Sequence, residues 1–275
     1  MDLKTLKDTP PWEWPEGAGK MFLEILRDGQ ADQSDRLLAT ELAGDFTVIS
    51  DELVDALLSI LRSGVESEEL RCQAAISLGP ALEHADTEGF EDPDDVQITE
   101  QTFHMIQESL HKLTMDASVP KNVQRRILEA SVRAPQDWHR NAVRAAYSSD
   151  DEDWKLTAVF SMRFVRGFDE QILEALESAN SDVHYEAVCA AGNWEVDAAW
   201  AHITALVASK ETEKPLLLAA IDAVASIRLQ EAGVILVGLT DSDDEDITEA
   251  ADEAITMAGA VSEVEYDDDD GESVH

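Results

Sequence analysis

Two cysteines and seven histidines are the side chains of this 275-residue chain best suited to ligate a metal or to act as nucleophile and base. Their spacing does not assemble such a centre. Cys72 and Cys189 lie far apart and form no cysteine zinc motif, and His84, His104, His111, His139, His184 and His202 fall at no ligand spacing. Glu91, Asp92, Asp94 and Asp95 crowd carboxylates together as a calcium loop does, but without the alternating acidic order and the glycine that wrap the ion. No nucleophile elbow or phosphate loop occurs. The expectation is no catalytic residue, no metal and no cofactor. One denser group stands out: Tyr185, Cys189, Trp194, Trp200 and His202 bring phenol, thiol, indole and imidazole into one short stretch that could line a small-molecule pocket.

These residues sit on a repeating frame. Asn180–Trp194 reads as an acidic turn followed by an alanine-rich helix ending at Gly192. With Val183 as offset zero, related stretches start at Leu70, Val123, Trp154, Leu216 and Ile247. Offset four carries Ala74, Ile127, Ala158, Ala187, Ala220 and Ala251, and offset seven is small throughout: Ser77, Ala130, Ser161, Ala190, Ala223 and Ala254. From Val123 onward the starts are separated by 31, 29, 33 and 31 residues. A weaker copy begins at Asp35, with Ala39, Leu42 and a glycine, Gly44, where Gly79 and Gly192 stand. Self-similarity at this period marks helix pairs that bury their apolar faces by stacking.

Composition bounds the function classes. Lys and Arg number 20 against 59 Asp and Glu, a net charge of −39, which repels phosphate backbones and disfavours nucleic acid as partner. Nothing approaches the roughly 18 consecutive apolar residues of a membrane span, and no secretory pattern of charged then apolar residues is present. With two isolated cysteines, the expectation is a soluble cytoplasmic protein with reduced thiols. The charge is uneven: residues 121–166 hold nine basic residues (Lys121, Arg125, Arg126, Arg133, Arg140, Arg144, Lys155, Arg163 and Arg166) against six acidic ones, between two strongly acidic flanks.

In chain order, residues 1–17 contain Thr-Pro-Pro-Trp-Glu-Trp-Pro, whose prolines forbid a regular helix and whose Trp12 and Trp14 are expected to fold back over the first repeat. Residues 18–261 form the repeat array, with helices starting at Ser34 and Ser50 caps, Gly64 ending one helix in the left-handed conformation, and a helix over 70–82. An acidic insertion, 83–97, breaks the period and reads as an irregular loop. Helices then alternate to residue 258, joined by Asp/Ser/Asn-rich turns that cap them. The acidic tail 262–275 reads as disordered.

Leu-Arg-Cys-Gln-Ala-Ala-Ile-Ser-Leu-Gly (70–79) resembles the second helix of a HEAT repeat, and 183–192 and 216–225 look like looser copies. The resemblance spans about residues 20–260, and departs from the family pattern at Trp154 and Ile127. It implies an all-α fold, an α-α superhelix (α-solenoid) of about seven HEAT-like antiparallel helix pairs, with the second helices lining a concave face. Most such proteins bind proteins. Hydroxylases of this architecture use His-Glu steps, a dipeptide that never occurs here. Glycosylases that resemble it use a basic cleft with aromatics; Trp138, Asp153, Trp154, Arg163 and Arg166 imitate that, but the net charge opposes it.

The register gives a candidate binding row. If offsets zero, four, seven, eight and eleven face the core, offsets two, six and nine face the concave side at about 100° per residue. Offsets two and six read Cys72/Ile76, Arg125/Glu129, Leu156/Phe160, Tyr185/Cys189, Leu218/Asp222 and Glu249/Glu253. The apolar middle of this row, beside Arg125, Arg126 and Arg163, suits an amphipathic acidic helix or extended peptide. The expected site is therefore a partner-binding groove of Arg125, Arg126, Leu156, Phe160, Arg163, Tyr185, Cys189 and Leu218. The chain would be a non-catalytic protein–protein interaction scaffold with a protein or peptide partner. The alternative is a small-molecule-binding or lyase-type HEAT-repeat protein with its pocket near Tyr185–His202.

Overall fold

In the computed structural model, residues 2–92 and 96–267 are described, with side chains as far as Ala258. Every regular element among them is a helix, and the fold class is all-α, built of stacked helix pairs. The chain divides into two compact units, Met1–Ala142 and Val143–His275.

In the first unit a short α1 (Leu3–Lys7) and a 3-10 turn (Pro11–Glu13) precede α2 (Ala18–Arg27) and α3 (Gln33–Leu42). Next come α4 (Asp51–Arg62), α5 (Glu68–Ser77), α6 (Gly79–Glu88), α7 (Glu100–Thr114) and α8 (Lys121–Ser131). α2 pairs with α3, α4 with α5 and α7 with α8, while α3, α5 and α8 stack on one another as second helices. α9 (His139–Tyr147) crosses the division. The second unit holds α10 (Glu152–Ser161), α11 (Asp169–Ala175), α12 (Ser181–Asn193), α13 (Trp200–Ala208), α14 (Lys214–Ile227), α15 (Leu229–Leu236) and α16 (Glu245–Asp267). Its pairs are α11/α12, α13/α14 and α15/α16, and its second helices stack in the order α10, α12, α14, α16.

Offsets four and seven are buried in all the copies, which is why they are small or aliphatic. The seam between successive second helices explains the glycines. A Cβ on Gly44 would lie 2.8 Å from the Ser77 Cα, and one on Gly192 would lie 3.0 Å from the Ala223 Cα. A Cβ on Gly79 would lie 3.5 Å from the Ala130 Cα, an ordinary contact, and 2.8 Å from the Arg133 Cδ, which is the tighter one. In each case offset nine of one copy crosses offset seven of the next, and at Gly44 and Gly192 the backbones approach so closely that a side chain there would have to push the neighbouring helix away. Offset nine is therefore a packing position in these copies, not the concave-facing one that 100° spacing suggests. The arginine at offset one in the first full copy is also structural: Arg71 is buried and its Nε donates to the Leu61 carbonyl at 2.9 Å, satisfying a last-turn acceptor of α4.

Several local expectations are revised. Trp14 folds back, its Nε1 donating to the carbonyls of Leu6 (3.0 Å) and Thr9 (2.9 Å) and its ring meeting Phe22 edge-on, but Trp12 is 78% exposed. Asp32, not Ser34, caps α3. Ser50 caps α4 as expected, whereas Gly64 lies one residue past the Ser63 C-cap and outside the positive-φ glycines Gly17, Gly89 and Gly167. The helix expected over 70–82 ends at Ser77 and restarts as α6, because Pro80 lacks the N–H a continuous helix needs and fits a first turn. α6 runs to Glu88, so the first part of the 83–97 insertion is helical. The tail is also shorter than expected: α16 continues to Asp267, and residues 268–275 lie outside the described residues. Asp151, Asn180 and Asp244 do cap the helices that follow the acidic turns.

Candidate functional site

In the second unit the stacking of α12 on α14 leaves a cavity of about 420 Å³. Helical spacing builds its walls. Tyr185, Cys189 and Asn193 descend one face of α12, and Lys214, Leu218, Asp222 and Ser226 descend the matching face of α14, while Arg163 enters from just beyond the end of α10. The two rows are four residues apart along each helix, so their side chains line up turn upon turn. Pro215 at the first turn of α14 and Ala219 add apolar wall, and the seam glycine Gly192 with Ala223 sets the distance between the helices.

The charges lining this cavity are unequally satisfied. Arg163 is held by Glu186 at 3.1 Å, and its guanidinium lies over the rings of Phe160 (5.6 Å) and Phe164 (5.8 Å). Lys214 sits between Asp244 (2.7 Å) and Asp246 (2.5 Å), whose hydrogen bonds push its ammonium pKa up. Asp222 has no such partner. Desolvation, with the nearby Glu253 carboxylate, pushes its carboxyl above the usual range, and among the described residues no cation stands at ion-pair distance. Burial also pushes the Cys189 thiol up, and the neighbouring Cys189 sulfur and burial push the Tyr185 hydroxyl up. Both groups are therefore protonated near neutral pH, so the cavity offers no thiolate nucleophile. It can offer contact area, two neutralised cations and one carboxylate without a counter-charge.

Four of the eight residues expected to form a groove, Arg163, Tyr185, Cys189 and Leu218, meet in this cavity. Leu156 and Phe160 are partly buried on α10 outside its lining. Arg125 and Arg126 belong to the first unit; Arg125 is buried there, and Arg126 reaches Glu129 at 2.5 Å. Of the cationic rim expected for an acidic ligand, Arg125 is buried, Arg126 stands against Glu129 and Arg163 against Glu186. Lys214, Asn193 and Ser226 were missed, although extending the offset-two and offset-six row by one turn each way reaches all three.

The residues of the small-molecule alternative separate. Tyr185 and Cys189 line the cavity, whereas the His202 Nε2 lies 2.9 Å from that of His184, and its Nδ1 lies 3.4 Å from the exposed Glu177 carboxylate. Trp194 donates to the Met162 carbonyl at 2.5 Å beneath Arg166, and Trp200 packs against Arg228. Burial, then His202, lowers the His184 pKa, so this imidazole pair shares a hydrogen bond only with at least one ring neutral. Among the described residues no group of three or more His, Cys, Asp or Glu converges to hold a metal, and no helix is long and apolar enough to cross a membrane.

No protein-family model matches the sequence, and no curated protein matches it. Solved structures similar to it include human deoxyhypusine hydroxylase in complex with glycerol, at 15% identity and a TM-score of 0.41, covering 94% of this chain and 88% of that one. Escherichia coli YibA is similar at 15% identity and a TM-score of 0.45, over 90% of this chain and 84% of its own. Computationally designed armadillo repeat proteins for modular peptide recognition are similar at 17% identity and a TM-score of 0.32, over 86% and 98%. Likenesses of this size transfer no activity.

Proposed function

We propose that the chain is a non-catalytic scaffold that receives a helix or extended segment of a partner polypeptide in the groove between α12 and α14. The observation that carries this reading is the convergence of Tyr185, Cys189, Leu218 and Arg163 on one cavity, with half-buried apolar walls on rigid helices and polar groups at its rim. A partner's apolar side chains would enter between Tyr185 and Leu218, as helix-in-groove recognition uses rows of anchors at helical spacing. The same cavity is also of a size that a small ligand fills, in the range of roughly 300–1,000 Å³, which keeps the small-molecule reading as the second. Its thiol and phenol are protonated, so that reading is of binding, not of covalent transfer.

Affinity capture with the full chain tests this. Wild type is compared with a Tyr185→Ser/Leu218→Ser variant checked for equal melting temperature. A polypeptide retained by wild type and lost from the variant is the expected result. A chromophore or other small molecule copurifying with wild type alone would move the assignment to the second reading, and equal recovery of the same polypeptides by both would remove the groove from the function.

A further inference from the structure

We infer that the side chain seated in the α12–α14 cavity is cationic: the groove takes an arginine or lysine of a basic peptide, with its charged end at Asp222. This rests on the groove being a polypeptide site. Of the charged groups lining the cavity, Arg163 and Lys214 already have carboxylate partners, Glu186 for the first and Asp244 and Asp246 for the second. An incoming carboxylate would have to compete with these ion pairs. Asp222 lies on the same cavity one turn from Leu218 and has none. Along the row beyond it stand Glu249 and Glu253 of α16, both exposed, and Glu253 is close enough to disfavour charge on Asp222.

Nor can the second unit supply the missing cation easily. Its basic residues are Arg144, Lys155, Arg163, Arg166, Lys210, Lys214 and Arg228, of which Arg163 and Lys214 line the cavity. Lys214 is held as described, and Arg228 is held by Asp197 at 2.8 Å and Glu231 at 3.2 Å. A chain at net −39 attracts cationic partners over long range and repels anionic ones, its own Asp267–Asp270 run included. The walls fit the stem as well as the head. A lysine or arginine lays three or four methylenes along apolar surface, here Leu218, Pro215 and Ala219, and the Tyr185 ring can receive a guanidinium. Specificity would follow from the negative residues, because a third carboxylate beside Asp222 and Glu253 is repelled.

The test is selection of displayed random peptides of about twelve residues, long enough for three helical turns, on the full-length wild type, on Asp222→Asn and on Tyr185→Ser/Leu218→Ser. All three proteins are first shown to melt alike. Wild type is expected to select sequences with lysine or arginine flanked by apolar residues. Synthetic copies should bind Asp222→Asn at least tenfold more weakly and lose affinity as salt rises. If the selected peptides depend on Tyr185 and Leu218 but carry no basic enrichment, or bind Asp222→Asn as well as wild type, the cation assignment is overturned while the groove stands. If binding ignores the Tyr185→Ser/Leu218→Ser change, or wild type selects nothing, the groove reading itself fails.

Discussion

Replacing Gly192 with alanine sets two effects of opposite sign against each other. Within a helix alanine is favoured over glycine by about 1 kcal/mol. At position 192 the added Cβ would lie 3.0 Å from the Ala223 Cα and 3.1 Å from its Cβ. These are main-chain-anchored atoms of α14, so relief requires α12 and α14 to move apart, and overpacking of this kind costs about 1–3 kcal/mol. The expected net is a loss of about 1 kcal/mol, with valine worse than alanine. Gly233 provides the control: it lies inside α15, and a Cβ there would meet nothing within 4 Å. Gly233→Ala should gain about 0.5–1 kcal/mol, most of it by restricting the unfolded chain. Urea unfolding, followed by far-UV circular dichroism of the helices, measures both variants. If Gly192→Ala proved as stabilising as Gly233→Ala, the seam would have slack, and close helix approach would not explain the small residues of the repeat.

Other expectations concern the first unit and the groove. His139 is buried, its Nδ1 accepting from the Gln136 amide at 2.8 Å and its Nε2 lying 3.0 Å from the Ser131 hydroxyl; burial lowers its pKa from 6.5 to about 4. The unfolded chain therefore binds more protons between these values, so this stability is present above about pH 6.5 and is lost as pH falls towards 4. Between about pH 7.5 and 5 the wild type should lose about 2 kcal/mol more than His139→Gln in urea titrations at screening salt, and equal losses would refute the neutral buried imidazole. Trp14→Phe removes the donor to the Leu6 and Thr9 carbonyls and should cost about 1–2 kcal/mol, whereas Trp12→Ala, at an exposed ring, should stay within about 0.5 kcal/mol by thermal melting. Asp222→Asn should leave the free protein as stable or slightly more so, within about 0.5 kcal/mol, because its raised carboxyl pKa makes the ionised form unfavourable in the fold above the unfolded value. A clear loss of melting temperature would show that Asp222 has a structural partner.

The repeat was legible because stacking imposes the same volume limit on every copy. Offset seven faces the neighbouring backbone at Ser77, Ala130 and Ala223, where a small residue is needed, and these positions reveal the frame without any structure, while the weaker first copy carries Leu42. Cap positions were legible for the same local reason, as at Ser50 and Asn180. What the sequence hid depends on neighbours far along the chain. That Arg163 meets Glu186, 23 positions on, and Lys214 meets Asp244, 30 positions on, is invisible to a register argument, yet the proposal of a cationic ligand rests on these pairs. Offset nine was misplaced at Gly44, Gly79 and Gly192, though not at Arg163, because helical angle alone does not say how closely the next helix approaches. The helical start of the insertion was missed because Pro80 reads both as a breaker and as a first-turn residue.

Site-specific photo-crosslinking addresses the groove most directly. A benzophenone amino acid replaces Leu218 inside the cavity or, as the control, Val234, which is 80% exposed on α15 outside it. After irradiation of the full chain in native extract, a discrete polypeptide adduct at position 218 and not at 234, competed by basic selected peptides, is the predicted result. Adducts of equal yield at both positions, or none at 218, would contradict a partner seated between α12 and α14.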